Sequence, residues 1–243
     1  LGRKCTLVSV MLKTYCEPEY IITREEYLAQ LEEVEQVKRN IISSLSDPED
    51  EWQTELEIHD YIVDNCEYKL VKNEHIYSSA YGALVMGEAA CEGYSKAAKL
   101  LFDRAGLESA VVSGVSKAQD GNGGAHMWNA VKIYGDFYYL DCTWDDPLNE
   151  DGESVKTYSY FNLSDEMIAP THSDFSYDFD CNATAANYYI KNNRYFKSYD
   201  RDNEDDIARI LAEALDAGEK TVEVRFSSKE VFNSAVEDLI DGE

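Results

Sequence analysis

The stretch from Ala89 to Thr143 changes its apolar period once, and that change constrains the fold more than any other feature of the chain. In AACEGYSKAAKLLFDRAG the apolar positions Tyr94, Ala97, Ala98, Leu101, Phe102 and Ala105 fall on one helical stripe, and Gly106 supplies a left-handed stop. Three strand-like runs follow: Ser109 to Ser116, His126 to Tyr134, and Phe137 to Thr143. Gly135-Asp136 between the last two is a two-residue hairpin signal, which makes those strands antiparallel neighbours. Gln119 to Gly124 (QDGNGG) reads as a flexible loop.

Upstream, Thr6 to Tyr15 reads as an extended piece. Thr23 and Glu26 form a capping box opening a long amphipathic helix with an apolar face from Tyr27 to Leu45. Asp47 as N-cap and Pro48 at the first helical position are expected to start a second helix towards Cys66. Tyr81 to Met86 is a short helical piece. From Asp145 to Ser176 the chain is acidic and loop-rich, with a short Tyr-rich strand expected near Tyr158 to Leu163. Glu204 to Leu215, Thr221 to Phe226 and Lys229 to Ile240 read as helix, strand and helix. A single strand cannot make a sheet, so this tail either docks on the main domain or lacks residues. The organisation expected is an extended segment at 1–22, a core with its N-terminal helices at 23–187, and an α-β-α appendage at 188–243 whose completeness is left open.

Composition excludes some function classes. Asp and Glu number 48 against 22 Lys and Arg, a net charge of −26, which repels phosphate backbones and anionic lipid; no local basic patch offsets it. No run approaches the ~20 apolar residues of a membrane span. Nucleic-acid binding and membrane insertion are therefore not expected. The six cysteines show no CxxC pair and no zinc-like spacing. Cys5 and Cys16 would close a small loop in an oxidising compartment, but unpaired, mostly buried cysteines are the simpler reading.

Cys91 opens a helix, where unpaired N–H groups and the helix dipole favour thiolate over thiol. A nucleophilic thiolate also needs a base, and His126 begins a strand just after the glycine loop. With the turn at Gly135-Asp136, Asp141 faces Ala130, on the same sheet face as His126. That register leaves them four residues apart, so a bulge or strong twist must close the gap. Set against a buried structural cysteine, a satisfied histidine and a solvated aspartate, the three together favour catalysis. His59, on a helix, and His75 and His172, in loops, read as structural or solvated. Asn149 to Glu153 is half of a calcium-type loop whose remaining ligand positions hold Pro147 and Tyr158.

The runs Ala90-Cys91-Glu92-Gly93-Tyr94-Ser95, Gly124-Ala125-His126-Met127-Trp128-Asn129-Ala130-Val131 and Tyr139-Leu140-Asp141-Cys142-Thr143-Trp144-Asp145-Asp146-Pro147 resemble the transglutaminase-like superfamily, and within it bacterial transglutaminase-like cysteine peptidase domains. The resemblance covers about Trp52 to Thr171. It implies an α+β, papain-like core of helices packed on an antiparallel sheet. It also implies a triad in which Cys91 is the nucleophile, His126 the base and then acid, and Asp141 the group that orients the imidazole. The activity implied is cofactor-free, metal-free acyl transfer on amide bonds of a protein or peptide, cell-wall peptide included, with hydrolysis favoured over amine transfer. The rival is a silent binding or scaffold module on the same fold. Tyr81 is the side-chain candidate for the oxyanion hole, and Trp128 and Trp144 are candidates to line a substrate groove. Cys142 departs from the small apolar residue or proline usual after the triad aspartate and reads as packed. The start at Leu1, the acidity and the family together point to an extracellular or cell-surface location, the cytoplasm remaining open; oligomeric state is not legible.

Overall fold

Thr23 accepts from the Glu26 N–H while the Glu26 carboxylate accepts from the Thr23 N–H, and this reciprocal cap opens α1, Arg24–Ser44. A cap of this kind contributes on the order of 1 kcal/mol. The computed structural model in which it is seen describes residues 3–10, 13–72, 74–117, 123–149, 151–177, 179–218 and 222–241. Before α1, β1 (Arg3–Val10) and β2 (Lys13–Tyr20) form an antiparallel pair where a single extended piece was expected. Its register sets Cys5 against Pro18 and Cys16 against Leu7.

The second helix, α2, spans Glu51–Asn65 and starts three residues later than expected. Asp50, not Asp47, accepts from the first-turn N–H groups of Trp52 and Gln53, while Asp47 caps the preceding turn through the Glu49 N–H. A short parallel ladder then joins β3 (Glu67–Tyr68) to β4 (Glu88–Ala89), setting Tyr68 beside Ala89. Between them lie a 3-10 turn at His75–Ser78 and a π-helical turn at Gly82–Met86, where an ordinary helical piece was expected.

Helix α3, Cys91–Ala105, follows immediately and carries the expected buried stripe of Tyr94, Ala97, Ala98, Leu101 and Phe102; Gly106 ends it at φ 88°. Its first turn sits tight against the 3-10 turn. A Cβ on Gly93 would lie 2.6 Å from both the Tyr77 carbonyl oxygen and the Ala89 Cβ, so only glycine permits this approach.

The main sheet has the order β7-β6-β5-β8, all antiparallel, with β5 at Ser109–Lys117, β6 at Gly123–Ile133 and β7 at Asp136–Leu140. The Asn129 amide donates to the Ser95 carbonyl and ties β6 to α3. Most of the expected glycine loop, residues 119–122, lies outside the described residues; Gly123 and Gly124 open β6. The β6–β7 turn is Tyr134-Gly135, both at positive φ, not Gly135-Asp136. Two consecutive left-handed residues give the twist a two-residue hairpin needs. Tyr158 to Leu163 forms turns with a single bridge from Leu163 to Tyr139 in place of a strand. After them come α4, Asp165–Ile168, and the short edge strand β8, His172–Ser173.

Residues Leu1–Ala183 make one compact unit and Thr184–Glu243 a second. The second contains α5 (Tyr188–Lys191), β9 (Tyr195–Phe196), α6 (Arg201–Ala217), β10 (Arg225–Phe226) and α7 (Lys229–Asp241). The expected lone strand has a partner here, because β9 pairs with β10 in parallel. Phe196, Ile207 and Ile210 form its buried cluster.

Candidate active site

The one-residue shift of the hairpin turn, which moves the cross-strand register by two, decides the geometry of the site. Leu140 pairs with Asn129, so the next residue, Asp141, comes level with Trp128 and not with Ala130. His126 is two residues from Trp128 and shares its strand face. The four-residue gap of the sequence reading thus becomes two, which the side chains span without a bulge: His126 Nε2 lies 2.6 Å from Asp141 Oδ2. Beyond β7, the Asp141 N–H is held by the Tyr160 carbonyl.

Cys91 reaches the same imidazole. Its side chain is a hydrogen-bonding and charge neighbour of His126, and it is half-buried with a free thiol. With Nε2 committed to Asp141, Nδ1 is the ring nitrogen left for the sulfur. Burial disfavours the His126 imidazolium, but the Asp141 charge and hydrogen bond, together with Cys91, outweigh it and push the pKa up to about 10. Burial likewise opposes ionisation of Asp141. The His126 charge and the hydrogen bonds from His126 and His172 win, and hold its carboxyl well below the usual carboxylate range. Ala90, the N-cap of α3, gives the first turn no side-chain acceptor, and its carbonyl takes the Gly93 and Tyr94 N–H groups.

Cys91 and His126 line an open cleft of about 650 Å³ whose walls include Glu67, Tyr68, Trp144, Asp146 and Leu148, with Asp141 buried behind His126. Trp144 is therefore at the cleft, as its candidacy for the groove requires. Trp128 is not. It is wholly buried, stacked on His126 at 5.9 Å and edge-on to Phe175, because its strand position faces the inner aromatic layer. The Tyr81 candidacy also needs correction. Its hydroxyl donates to Glu33 on α1 at 2.8 Å, and the ring lines a different groove between α1 and α3. Sequence distance from Cys91 was a poor guide, since the π-helical turn carries Tyr81 away from the start of α3.

Tyr68, unlike Tyr81, lines the cleft with Cys91. The β3–β4 ladder sets it beside Ala89, two residues before Cys91, and the residue is 51% exposed at the cleft wall. Burial and then the charges of Cys91 and Asp141 raise its pKa. The only sequence signal for it was a strand too short to recognise by periodicity. His172 was missed as well. It is buried on β8, with Nε2 3.2 Å from Asp141 Oδ2. His126, Asp141 and His172 bring ligand-type atoms within 4.8 Å of one another. Separations of 2.6 and 3.2 Å onto one carboxylate oxygen are those of hydrogen bonds.

The remaining polar residues serve the scaffold. Buried His59 sits between Asp145 (3.2 Å) and Asp60 (3.0 Å). Burial opposes its charge, yet those carboxylates push its pKa up to about 9. Cys142 is buried, and burial drives its thiol well above the ordinary range. Asn149 Oδ1 accepts from the Asp151 and Glu153 N–H groups, so its turn is closed by its own backbone.

A thiol at a helix start, an imidazole and a carboxylate are thus brought together beside a solvent-open cleft on an α+β scaffold. Residues 35–142 match the model of the transglutaminase-like superfamily. Among curated proteins no relative matches. Among solved structures, the chain is similar to a TGase at 19% identity, covering 51% of this chain and 34% of that one, with a TM-score of 0.41. A candidate cysteine protease from Cytophaga hutchinsonii is 15% identical over 51% of this chain and 41% of its own, TM-score 0.39. A candidate protease from Parabacteroides distasonis is 10% identical over 64% and 40%, TM-score 0.34. The chain thus spans well under half the length of each of these structures.

Proposed function

We propose that this chain is a cysteine-dependent acyl-transfer enzyme acting on amide bonds of proteins or peptides, with water as the favoured acceptor. The observation that carries the proposal is the single His126 ring engaged by Cys91 and by Asp141 at one wall of an open cleft. The thiol proton moves to His126 Nδ1, and the imidazolium that results is held by Asp141. The Cys91 sulfur attacks the substrate carbonyl, whose π electrons move onto oxygen. The Cys91 N–H at the head of α3 is placed to donate to that oxyanion, and the Tyr68 hydroxyl is the side-chain donor within the same cleft. As the tetrahedral species collapses, the C–N bond breaks and His126 returns its proton to the departing amine, leaving a thioester on Cys91. His126 then takes a proton from water, hydroxide adds to the thioester, and the carboxylic acid leaves as the thiol is restored.

Hydrolysis is favoured over transfer to an amine because the cleft is open along Tyr68 and Leu148, which is 70% exposed, so the thioester is not shielded from water. A peptide-library incubation read by mass spectrometry, with and without added primary amine, tests both points. Cleaved peptides whose yield is unchanged by amine are expected. Products carrying the amine would reassign the acceptor, and an unaltered library would favour a silent binding module.

A further inference from the structure

We propose that His172 is a positioning residue of this site: it holds the Asp141 carboxylate in the plane and at the charge that His126 requires. The assignment rests on the Cys91-His126-Asp141 reading above and adds to it a fourth member.

The sheet builds the contact. Ser116 on β5 pairs with Gly124 on β6 on one side and with His172 on β8 on the other, so His172 stands in the row next to His126, ring centroids 5.5 Å apart. β8 can approach this closely because β5 carries Gly114 beside it; a Cβ there would lie 2.5 Å from the Ser173 carbonyl oxygen and 2.6 Å from the Trp128 ring. The His172 ring is then fixed on all sides. Nδ1 lies 2.9 Å from Thr171 Oγ1, which is itself anchored to the Ile168 carbonyl at 3.2 Å. Trp128 packs edge-on at 4.7 Å, with Trp144 at 4.9 Å and Tyr160 at 5.7 Å. Nε2 alone is left, and it points at Asp141 Oδ2.

Asp141 is saturated as a result. Oδ1 accepts from the Thr143 and Trp144 N–H groups at 3.0 and 3.3 Å, and Oδ2 takes both imidazoles. A carboxylate gripped at both oxygens cannot rotate, which fixes the ring it orients. Sharing Oδ2 also divides its negative charge between two donors. Removing His172 would leave the carboxylate's negative charge less neutralised, and that charge opposes ionisation of the Cys91 thiol beside an already protonated His126.

The test is the rate of Cys91 carboxamidomethylation by iodoacetamide across pH 4–10, with melting temperature recorded for each variant. The titratable groups facing Asp141 are His126 from β6, His172 from β8, Cys91 from α3, Tyr68 from β3 and the adjoining Cys142. Of these only His172 is altered. His172→Phe should move the acid limb of the Cys91 profile upward by about half a pH unit or more, whereas His172→Gln, which retains an N–H donor, should return it to the wild-type position. If the phenylalanine variant does not fold, His172→Leu, which also removes the N–H donor but with a smaller side chain, should displace the limb in the same direction. Variants that melt earlier but keep the wild-type profile would overturn the proposal and leave His172 a packing residue. Wild-type Cys91 reacting no faster at pH 6 than the other cysteines would instead overturn the underlying active-site reading, and the assignment with it.

Discussion

His126 and Asp141 stand two ladder positions apart on neighbouring strands, yet their Nε2 and Oδ2 atoms close to 2.6 Å. A hydrogen bond of that length between an imidazole and a buried carboxylate fixes which ring nitrogen faces the thiol. Asp141→Asn presents an amide in its place and lets the ring settle in the wrong tautomer. The expected outcome is a fall in kcat of roughly 10³-fold with KM within a few-fold of wild type. Steady-state kinetics on any cleaved peptide checks this, and an unchanged kcat would remove Asp141 from the site.

Tyr68 gives a separate expectation, because its ladder partner Ala89 ties it to the start of α3. If its hydroxyl donates to the oxyanion, Tyr68→Phe should lower kcat about 10- to 100-fold while leaving KM nearly constant. The fold should be indifferent, since the ring is half exposed. Tyr81→Phe, in contrast, loses only the surface contact to Glu33 and should leave turnover unaltered.

Gly93 carries the close approach that seats Cys91. Gly93→Ala places a methyl 2.6 Å from the Tyr77 carbonyl oxygen and from the Ala89 Cβ, and neither can yield without moving backbone. A loss of about 1–3 kcal/mol is expected in urea unfolding, despite the better helix propensity of alanine. A neutral or stabilising result would mean that α3 is seated differently.

Glu55 provides a pH-linked expectation. It is wholly buried on α2, and burial, only partly countered by the Asn162 amide at 2.6 Å and the His59 charge, pushes its pKa up to about 8. An acid with a raised folded-state pKa contributes stability that is complete below its ordinary value near 4.5 and is lost as pH rises through 8. Glu55→Gln does not titrate. The variant should therefore gain on wild type as pH rises, by at least about 1 kcal/mol between pH 5.5 and 8.5. Parallel stability curves for the two proteins across that range would contradict the assignment.

Much of this was legible in the chain because the signals were local. The Thr23–Glu26 cap, the α3 stripe and its glycine stop each depend on residues within a few positions of one another. The types and order of Cys91, His126 and Asp141 were legible for the same reason. What escaped was set by tertiary pairing. The hairpin turn falls at Tyr134-Gly135, where both residues take positive φ, and that register puts Asp141 within reach of His126. Two-residue strands such as β3, β8 and β9 carry no period to read, and Tyr68 and His172 were missed with the first two. Trp128 and Trp144 look alike as neighbours of site residues in sequence; only their depth in the fold tells a core ring from a cleft wall.

The most direct measurement is an acid-quenched reaction of the protein with a cleavable peptide, followed by mapping of the adduct. The account predicts one acyl group in thioester linkage on Cys91, absent in Cys91→Ala although that variant stays folded. No adduct, or an adduct on any other residue, would contradict it.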